Sequence, residues 1–140
     1  MAAVATDVHV LDGKKLAGRI KEQVRADAAD LAAEGRPVSL HAILVGDPPD
    51  GRLYANSQAR QCERVGIRYT LHDLPGETSP DALAEEIGRL NADPAVTGIM
   101  LHLPVPEHIS APAMQYLIDP YKDVEGVNPA NIGFVFYDRP

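Results

Sequence analysis

Hydrophobic and polar residues follow a helical period over the first part of the chain. Between residues 12 and 35, apolar residues recur every three or four positions on a charged background, which predicts an amphipathic helix. The apolar stripe consists of Leu16, Ile20, Val24, Ala28 and Leu31. Asp12 is a good N-cap for this helix, and Gly35 is a good terminator. We expect the stripe to pack in the core.

Three apolar runs predict strands instead of helices. The first covers residues 39–45, and the second covers residues 67–74, where apolar and polar positions alternate. The third is short, residues 99–101, with a glycine before it and prolines after it. Such a run is typical of a strand buried on both faces of a parallel sheet, and we expect it to be the central strand.

Helical segments separate these strands. One is predicted from about residue 52 to 65, and another from residue 80 to 91 with Ser79 as its cap. A short helix is predicted to open at residues 110–112. The tail, residues 119–140, has turn residues without a sustained period, so it predicts no further element.

The alternation of helices and strands predicts the α/β class. We expect one three-layer domain over residues 1–140, with a mostly parallel sheet flanked by helices. At 140 residues the chain is long enough to bury a core without disulfides or metals. Its one cysteine, Cys62, allows no intrachain disulfide and fits a reducing compartment, so we expect the cytoplasm.

The charge pattern disfavours some partners. The chain carries 20 acidic and 13 basic residues, a net charge of -7, without a basic cluster. This balance argues against binding to the phosphate backbone of nucleic acid. No apolar run approaches the roughly 18 residues that a membrane span needs, so we expect no membrane partner. The histidines lie at no metal-ligand spacing, and we expect no metal site.

The strongest candidate for chemistry is His102, which ends the third apolar run. Ligands of open α/β sheets bind at the carboxyl ends of the strands, so a polar side chain here is placed to meet one. Pro104 and Pro106 follow it and make the exit from the strand stiff. The alternative is a partly buried histidine that bonds a backbone group. No Gly-x-Gly-x-x-Gly or Gly-Lys-Ser/Thr motif occurs, so the chain has no recognisable nucleotide site of its own.

The other histidines and the cysteine give weaker signals. His9, His41, His72 and His108 have no partner spacing, and we interpret them as surface or strand-edge residues. Cys62 lies on the second predicted helix, where a buried, inert thiol is the expected state.

Ordered motifs connect the chain to a known family. They are Leu11-Asp12-Gly13-Lys14, Leu44-Val45-Gly46 followed by Tyr54, Gly98-Ile99 with Leu103-Pro104-Val105-Pro106, and Lys122-Asp123-Val124 with Gly126, Asn128-Pro129, Asn131 and Gly133. In this order and at these intervals, the chain resembles the N-terminal catalytic domain of the bifunctional methylenetetrahydrofolate dehydrogenase/methenyltetrahydrofolate cyclohydrolase family. The resemblance runs from about residue 8 to 135.

The resemblance implies a role in one-carbon metabolism, with methylene- or methenyltetrahydrofolate as the small-molecule partner. Family members have a second, nicotinamide-binding Rossmann domain of similar length, and this chain stops where that domain would begin. We therefore expect a fragment of a two-domain protein, which binds NAD(P) only if the second domain is present. The alternative is a stand-alone domain that cannot bind the hydride acceptor in the way the family does. A homodimer stays an open option, since much of the family's dimer contact comes from the second domain.

The resemblance also implies a folate-binding cleft. Tyr54 matches the tyrosine that stacks on the aminobenzoyl ring of the folate. Leu103, Pro104 and Val105 match residues that border the substrate. Glu125 stands where the family has an aspartate that binds the pterin edge, and it keeps the charge on a longer side chain.

The catalytic pair of the family is altered in this chain. Gln58 stands where the family has a proton-transferring lysine, and His102 where it has the glutamine that holds that lysine. A glutamine amide cannot give and take a proton, so we expect no ordinary cyclohydrolase activity unless His102 acts as the base and Gln58 orients it. Two other hypotheses remain: an enzyme that passes the one-carbon unit to another acceptor, and a non-catalytic folate-binding or interaction domain.

Overall fold

The structure is a computed structural model that describes residues 12–137. Its helices are α1 (Gly13–Ala33), α2 (Pro49–Val65), α3 (Pro80–Ala92), α4 (Ala111–Gln115) and α5 (Pro129–Phe136). Its strands are β1 (Ser39–Val45), β2 (Arg68–Leu74) and β3 (Gly98–Leu101). None of these helices is long and apolar enough to cross a membrane.

The described strands form one parallel sheet in the order β2-β1-β3. Leu40 of β1 lies opposite Tyr69 on one side and Gly98 on the other. The predicted α/β class with a parallel sheet between helices is confirmed. The expectation that residues 99–101 form the central strand is wrong, because the chain crosses back past β1 after β2 and adds β3 on the far side.

The main core lies between the sheet and α3. Ile43 and Val45 of β1 pack with Leu83, Ile87 and Leu90 of α3, and all five side chains are buried. The other members of this buried cluster are Val96, Ile99, Leu101, Ile109, Met114 and Ile118. The side chains from β3 and α4 thus close the same core that α3 begins.

Helix α2 covers the opposite face and begins earlier than expected. It starts at Pro49 rather than near Arg52, because Pro49 takes the first helical position. The turn-forming residues after it predicted a loop but belong to the first turn of the helix. Leu44 points to this face, since successive side chains of a strand alternate. A Cβ on Gly51 would lie 3.1 Å from Leu44 Cδ1, so glycine at position 51 lets the first turn of α2 approach the sheet.

Helix α1 begins as expected but does not bury its whole apolar stripe. The Asp12 side chain accepts a hydrogen bond from a backbone N–H of the first turn at 3.0 Å. Ala28 is buried and Leu31 is half-buried, whereas Leu16 is 51% exposed and Ile20 is 54% exposed. The expectation that the whole stripe packs in the core is therefore wrong for its first half within the described part of the chain.

The tail contains α5, which the lack of a sustained period did not predict. Asn128 caps this helix, because its Oδ1 accepts a hydrogen bond from Ala130 N at 2.9 Å, and Pro129 takes the first helical position. The Asn128-Pro129 pair repeats the Ser79-Pro80 signal that did predict α3. Periodicity could not reveal α5, since none of its side chains is buried.

Candidate functional site

The candidate site forms where side chains of α2 reach the carboxyl end of β3. Tyr54 and Gln58 lie one turn apart on α2, and His102 directly follows β3. The backbone N–H of His102 donates to the carbonyl of Ile43 at 2.9 Å, which extends the pairing of β3 with β1 by one residue. The sheet itself therefore positions the histidine.

The His102 ring is buried beside Tyr54. It is 5% exposed, and the two ring centroids lie 5.6 Å apart with the planes at 83°, edge to face. Burial lowers the pKa of His102, so the ring is neutral at neutral pH. Its Nε2 has no hydrogen-bond partner among the described residues. The alternative of a histidine satisfied by a backbone group therefore finds no support at this nitrogen.

Gln58 presents a second unpaired polar atom. Its Nε2 donates to Met100 Sδ at 3.1 Å, and its Oε1 is buried with no partner in residues 12–137. Leaving a buried polar atom unpaired costs about 1–3 kcal/mol. Two such atoms near one strand end mark a place where a ligand or a water would supply the missing hydrogen bonds.

The same layer of the molecule holds two more unpaired atoms that sequence reasoning missed. Tyr69 OH on β2 and Gln61 Oε1 on α2 are buried and, within the described region, have no partner. Burial raises the pKa of Tyr69 to about 12, with further contributions from Cys62 and Tyr54. The sequence gives little signal for this, because a tyrosine in a strand is ordinarily a core residue.

The exit from β3 forms one border of the site. Leu103 is 51% exposed, Pro104 is exposed, and the peptide bond between them is cis. Val105 is half-buried and packs against the core cluster instead. Because Tyr54 is 56% exposed, the site is an open shelf with a buried polar floor rather than a closed cavity.

A returning segment brings Glu125 toward the same end of the sheet. The Ile99 N–H donates to the carbonyl of Lys122 at 2.7 Å, and Asp123 lies beside Ile99 in a parallel bridge. The Lys122 ammonium donates to three carbonyl groups at the end of α3, at distances of 2.7 to 3.0 Å. Both β3 and α3 thus hold the chain just before Glu125.

Asp123 organises the turn that carries Glu125. Its Oδ1 accepts from the backbone N–H groups of Glu125 and Gly126, at 3.2 and 3.0 Å. Its Oδ2 accepts from the backbone of Asn128 at 2.7 Å and from the side chain of Asn131 at 2.9 Å. Burial opposes the charge, but these hydrogen bonds hold the pKa of Asp123 below its usual range. Asp123 is therefore a charged structural residue.

The Glu125 carboxylate, unlike that of Asp123, does not hold the turn together. The hydrogen bond of Glu125 to Asp123 comes from its backbone, and its side chain reaches solvent. Partial burial, and after it the charge of Asp123, raises the pKa of Glu125. A carboxylate held by its backbone and still open to solvent can accept N–H donors from a ligand.

An ion-pair cluster that sequence reasoning missed fixes the start of α2. Arg52 donates to both carboxylate oxygens of Asp73, at 2.6 and 2.8 Å, and to Asp47 at 2.9 Å. The hydrogen bonds from Arg52 hold the pKa of Asp73 below its usual range. The cluster ties the helix that carries Tyr54 to the ends of β1 and β2.

Two histidines have partners that chain spacing concealed. His41 and His72 are half-buried and hydrogen-bond each other at 2.9 Å. His41 lies on the middle strand of the described sheet, so its interpretation as a surface or strand-edge residue is wrong, whereas His72 lies on an edge strand as expected. They lie on paired strands, which bring together residues far apart in sequence. His108 is exposed as expected, with its Nε2 2.8 Å from the carbonyl oxygen of Thr78, and His9 lies outside the described residues. Cys62 is buried as expected, and burial raises the pKa of its thiol.

Neither a metal cluster nor the volume of a cavity defines the site. Within residues 12–137, no group of three or more His, Cys, Asp or Glu side chains is placed to hold a metal ion. A cleft of about 460 Å³ lies beside the opposite end of the sheet and is lined by Arg36, Arg68 and Thr97 among others. We place the site by the chemistry of His102, because ligands of parallel sheets bind at the carboxyl ends of the strands.

Comparison with known proteins identifies the family. The family model described as the catalytic domain of tetrahydrofolate dehydrogenase/cyclohydrolase matches residues 11–125. The chain belongs to this family. It is 42% identical over 130 residues to the bifunctional protein FolD of Heliobacterium modesticaldum, and the match covers 93% of this chain and 45% of that protein.

Solved structures of FolD proteins share the fold. The bifunctional enzyme FolD from Campylobacter jejuni superposes with a TM-score of 0.90 at 35% identity, over 91% of this chain and 45% of that one. The FolD of Trypanosoma brucei, solved with NADP and an inhibitor, gives a TM-score of 0.86 at 29% identity, over 95% of this chain and 46% of that one. The chain thus spans somewhat less than half the length of these relatives.

We predict that Asp123→Asn destabilises the domain by about 1–3 kcal/mol. Four N–H groups now share the two carboxylate oxygens of Asp123, whereas the asparagine amide has only one acceptor oxygen. Urea unfolding at neutral pH measures the change. Glu125→Gln is the matched control, since it makes the same chemical change on a side chain that does not hold the turn. Equal stability of the two variants would contradict the structural role given to Asp123.

Proposed function

We propose that this FolD-family domain binds a tetrahydrofolate one-carbon derivative on the shelf at Tyr54 and His102, and that it transfers a proton at the one-carbon bridge. The observation that carries the proposal is a pair of buried atoms, His102 Nε2 and Gln58 Oε1, that have no partner in residues 12–137 and lie below the exposed ring of Tyr54. A polar floor beside an aromatic wall suits a ligand with flat rings and a polar bridge.

Binding rests on three groups. Tyr54 offers a ring face for the aminobenzoyl group, and the Arg52 cluster keeps the first turns of its helix in place. Leu103 and Pro104 supply an apolar border at the exit of β3. Glu125 accepts N–H groups of the pterin, and its turn is held in shape by Asp123.

His102 replaces the family's lysine as the proton-transferring group. Opening a methenyl bridge adds a water to the bridge carbon, and a base must take the proton that the water loses. The neutral imidazole accepts this proton at Nε2 when its own ring proton is on Nδ1. Gln58 orients the reacting groups, because its Oε1 can accept a hydrogen bond while Met100 holds the other end of its amide.

Hydride transfer forms no part of the proposal for this chain. NADP is bound to the FolD of Trypanosoma brucei, but the 140 residues here contain no Gly-x-Gly-x-x-Gly motif. We infer that residues 1–140 are the folate-binding domain of a longer protein, whose second domain would bind NAD(P). Homodimer formation and a cytoplasmic location stay predictions.

We predict that Tyr54→Ala weakens the binding of tetrahydrofolate by about tenfold or more, because a stacked ring contributes beyond its buried area. Tyr54→Phe is the matched control and keeps affinity within a few-fold, since it keeps the ring. Isothermal calorimetry with the 140-residue chain measures both. Equal affinity of wild type and Tyr54→Ala would contradict the stacking role of Tyr54. Absence of binding to wild type would contradict the proposal that the shelf binds folate.

We predict that His102→Asn lowers the turnover of methenyltetrahydrofolate by about 10²–10⁴-fold, the usual contribution of a general base. Tetrahydrofolate binding should persist, which also reports that the variant is folded. His108→Asn, at an exposed histidine away from the shelf, is the control and should turn over as wild type does. Unchanged turnover in His102→Asn would remove His102 from the mechanism. Binding without turnover in wild type would favour a non-catalytic domain or another one-carbon acceptor.

A further inference from the structure

A second cluster of titratable groups lies on the opposite face of the sheet from Tyr54. It joins His41 of β1, His72 of β2, and Glu86 and Arg89 of α3. His41 Nδ1 lies 2.9 Å from His72 Nε2, and His72 Nδ1 lies 2.8 Å from Glu86 Oε1. Arg89 donates to both carboxylate oxygens of Glu86 at 2.6 and 2.9 Å. A continuous hydrogen-bonded chain therefore crosses from α3 to two strands.

The two imidazole rings meet edge to edge. Their centroids lie 5.1 Å apart and their planes differ by 24°, while the facing nitrogens are 2.9 Å apart. The centroid separation exceeds the nitrogen separation by about one ring radius on each side, so the rings are almost collinear and nearly coplanar. This is the geometry of a direct N–H···N hydrogen bond rather than of face-to-face stacking.

The order of the chain determines where the protons sit. Glu86 is a carboxylate that can only accept, so His72 donates to it from Nδ1. In neutral His72 the other nitrogen, Nε2, is then an acceptor, and His41 donates to it from Nδ1. Each of the two hydrogen bonds, from His72 to Glu86 and from His41 to His72, therefore contains one proton.

This arrangement tolerates one additional proton but not two. With one, the two facing nitrogens still share a single proton, because the neutral ring accepts from the charged one. With two, both facing nitrogens carry hydrogen and both rings are cationic at a separation of 2.9 Å. The hydrogen bond is then lost and replaced by repulsion.

We propose that His41, His72, Glu86 and Arg89 form a proton-sensitive latch, which fastens α3 to β1 and β2 at neutral pH and opens in mild acid. The latch is separate from the folate shelf, so it stands whether or not the proposed function holds. It acts on the helix whose last carbonyl groups hold Lys122, and Lys122 precedes the turn that carries Glu125.

The charges around His41 agree with this behaviour. Burial, and then His72, lowers the pKa of His41 below its ordinary value of 6.5, and Arg89 acts in the same direction. Asp93 and Glu86 oppose the shift without cancelling it. Below pH 6.5 the unfolded chain therefore takes up a proton that folded His41 resists. Stability is full above that pH and is lost as the pH falls through the folded-state pKa.

His41→Asn tests the latch directly. The Asn amide nitrogen takes the place of Nδ1 and can still donate to His72, but it does not titrate. We expect the unfolding constant of wild type to rise between about pH 7.5 and pH 5.5 by threefold to tenfold more than that of the variant, since each pKa unit corresponds to about tenfold. His108→Asn is the matched control and should follow wild type. His102 titrates in all three proteins and cancels in the comparison.

Imidazole ¹⁵N chemical shifts of wild type give a second test that needs no variant. The latch predicts that the pKa of the His41 ring lies below 6.5, with faster amide exchange in α3 once that ring is protonated. Titration of His41 near its ordinary value of 6.5, or equal pH dependence of wild type and His41→Asn, would overturn the proposal.

Discussion

The site depends on the backbone hydrogen bonds that fix β3 from both sides. One side is bonded to β1, where His102 N–H reaches the Ile43 carbonyl at 2.9 Å, and the other to the returning segment, where Ile99 N–H reaches Lys122 at 2.7 Å. Gly98 makes the second contact feasible, because a Cβ there would lie 2.5 Å from Val124 Cγ1. The strand of only four residues therefore fixes both His102 and the turn of Glu125. Neither would keep its place on a free loop.

The shelf and the latch treat buried polar groups in opposite ways. On the α3 face, every contact from Arg89 through Glu86 to the two histidines is a hydrogen bond of 2.6 to 2.9 Å. On the α2 face, polar atoms of Gln58 and His102 are left unpaired within the part of the chain described. A satisfied network stabilises a fold, whereas unpaired buried atoms reduce stability and are kept where a ligand completes them. This contrast supports a ligand on the α2 side.

Much of the fold followed from local patterns, and the exceptions have physical causes. The Ser79-Pro80 pair predicted α3, and the apolar run of residues 99–101 predicted β3. No local pattern predicts that β1 lies between the other two strands, because strand order is set by the crossover connection. The site residues Tyr54, Gln58 and His102 were found through the family resemblance and through the strand-end position of His102. Two features were missed, since their environments arise from residues distant in sequence: the His41–His72 pair, and the Tyr69 hydroxyl, which has no partner among the residues described. A residue's burial and partner, unlike its secondary structure, are properties of the packed sheet.

The pH profile of methenyltetrahydrofolate hydrolysis by the 140-residue chain, corrected for the uncatalysed rate, tests the central claim most directly. If neutral His102 is the base, kcat/KM rises with pH, reaches half its plateau below 6.5 because burial lowers the pKa of that ring, and stays level above it. A half-point near the ordinary lysine value of about 10 would contradict the account. The absence of catalysed hydrolysis at every pH, in a chain that binds folate, would contradict it equally.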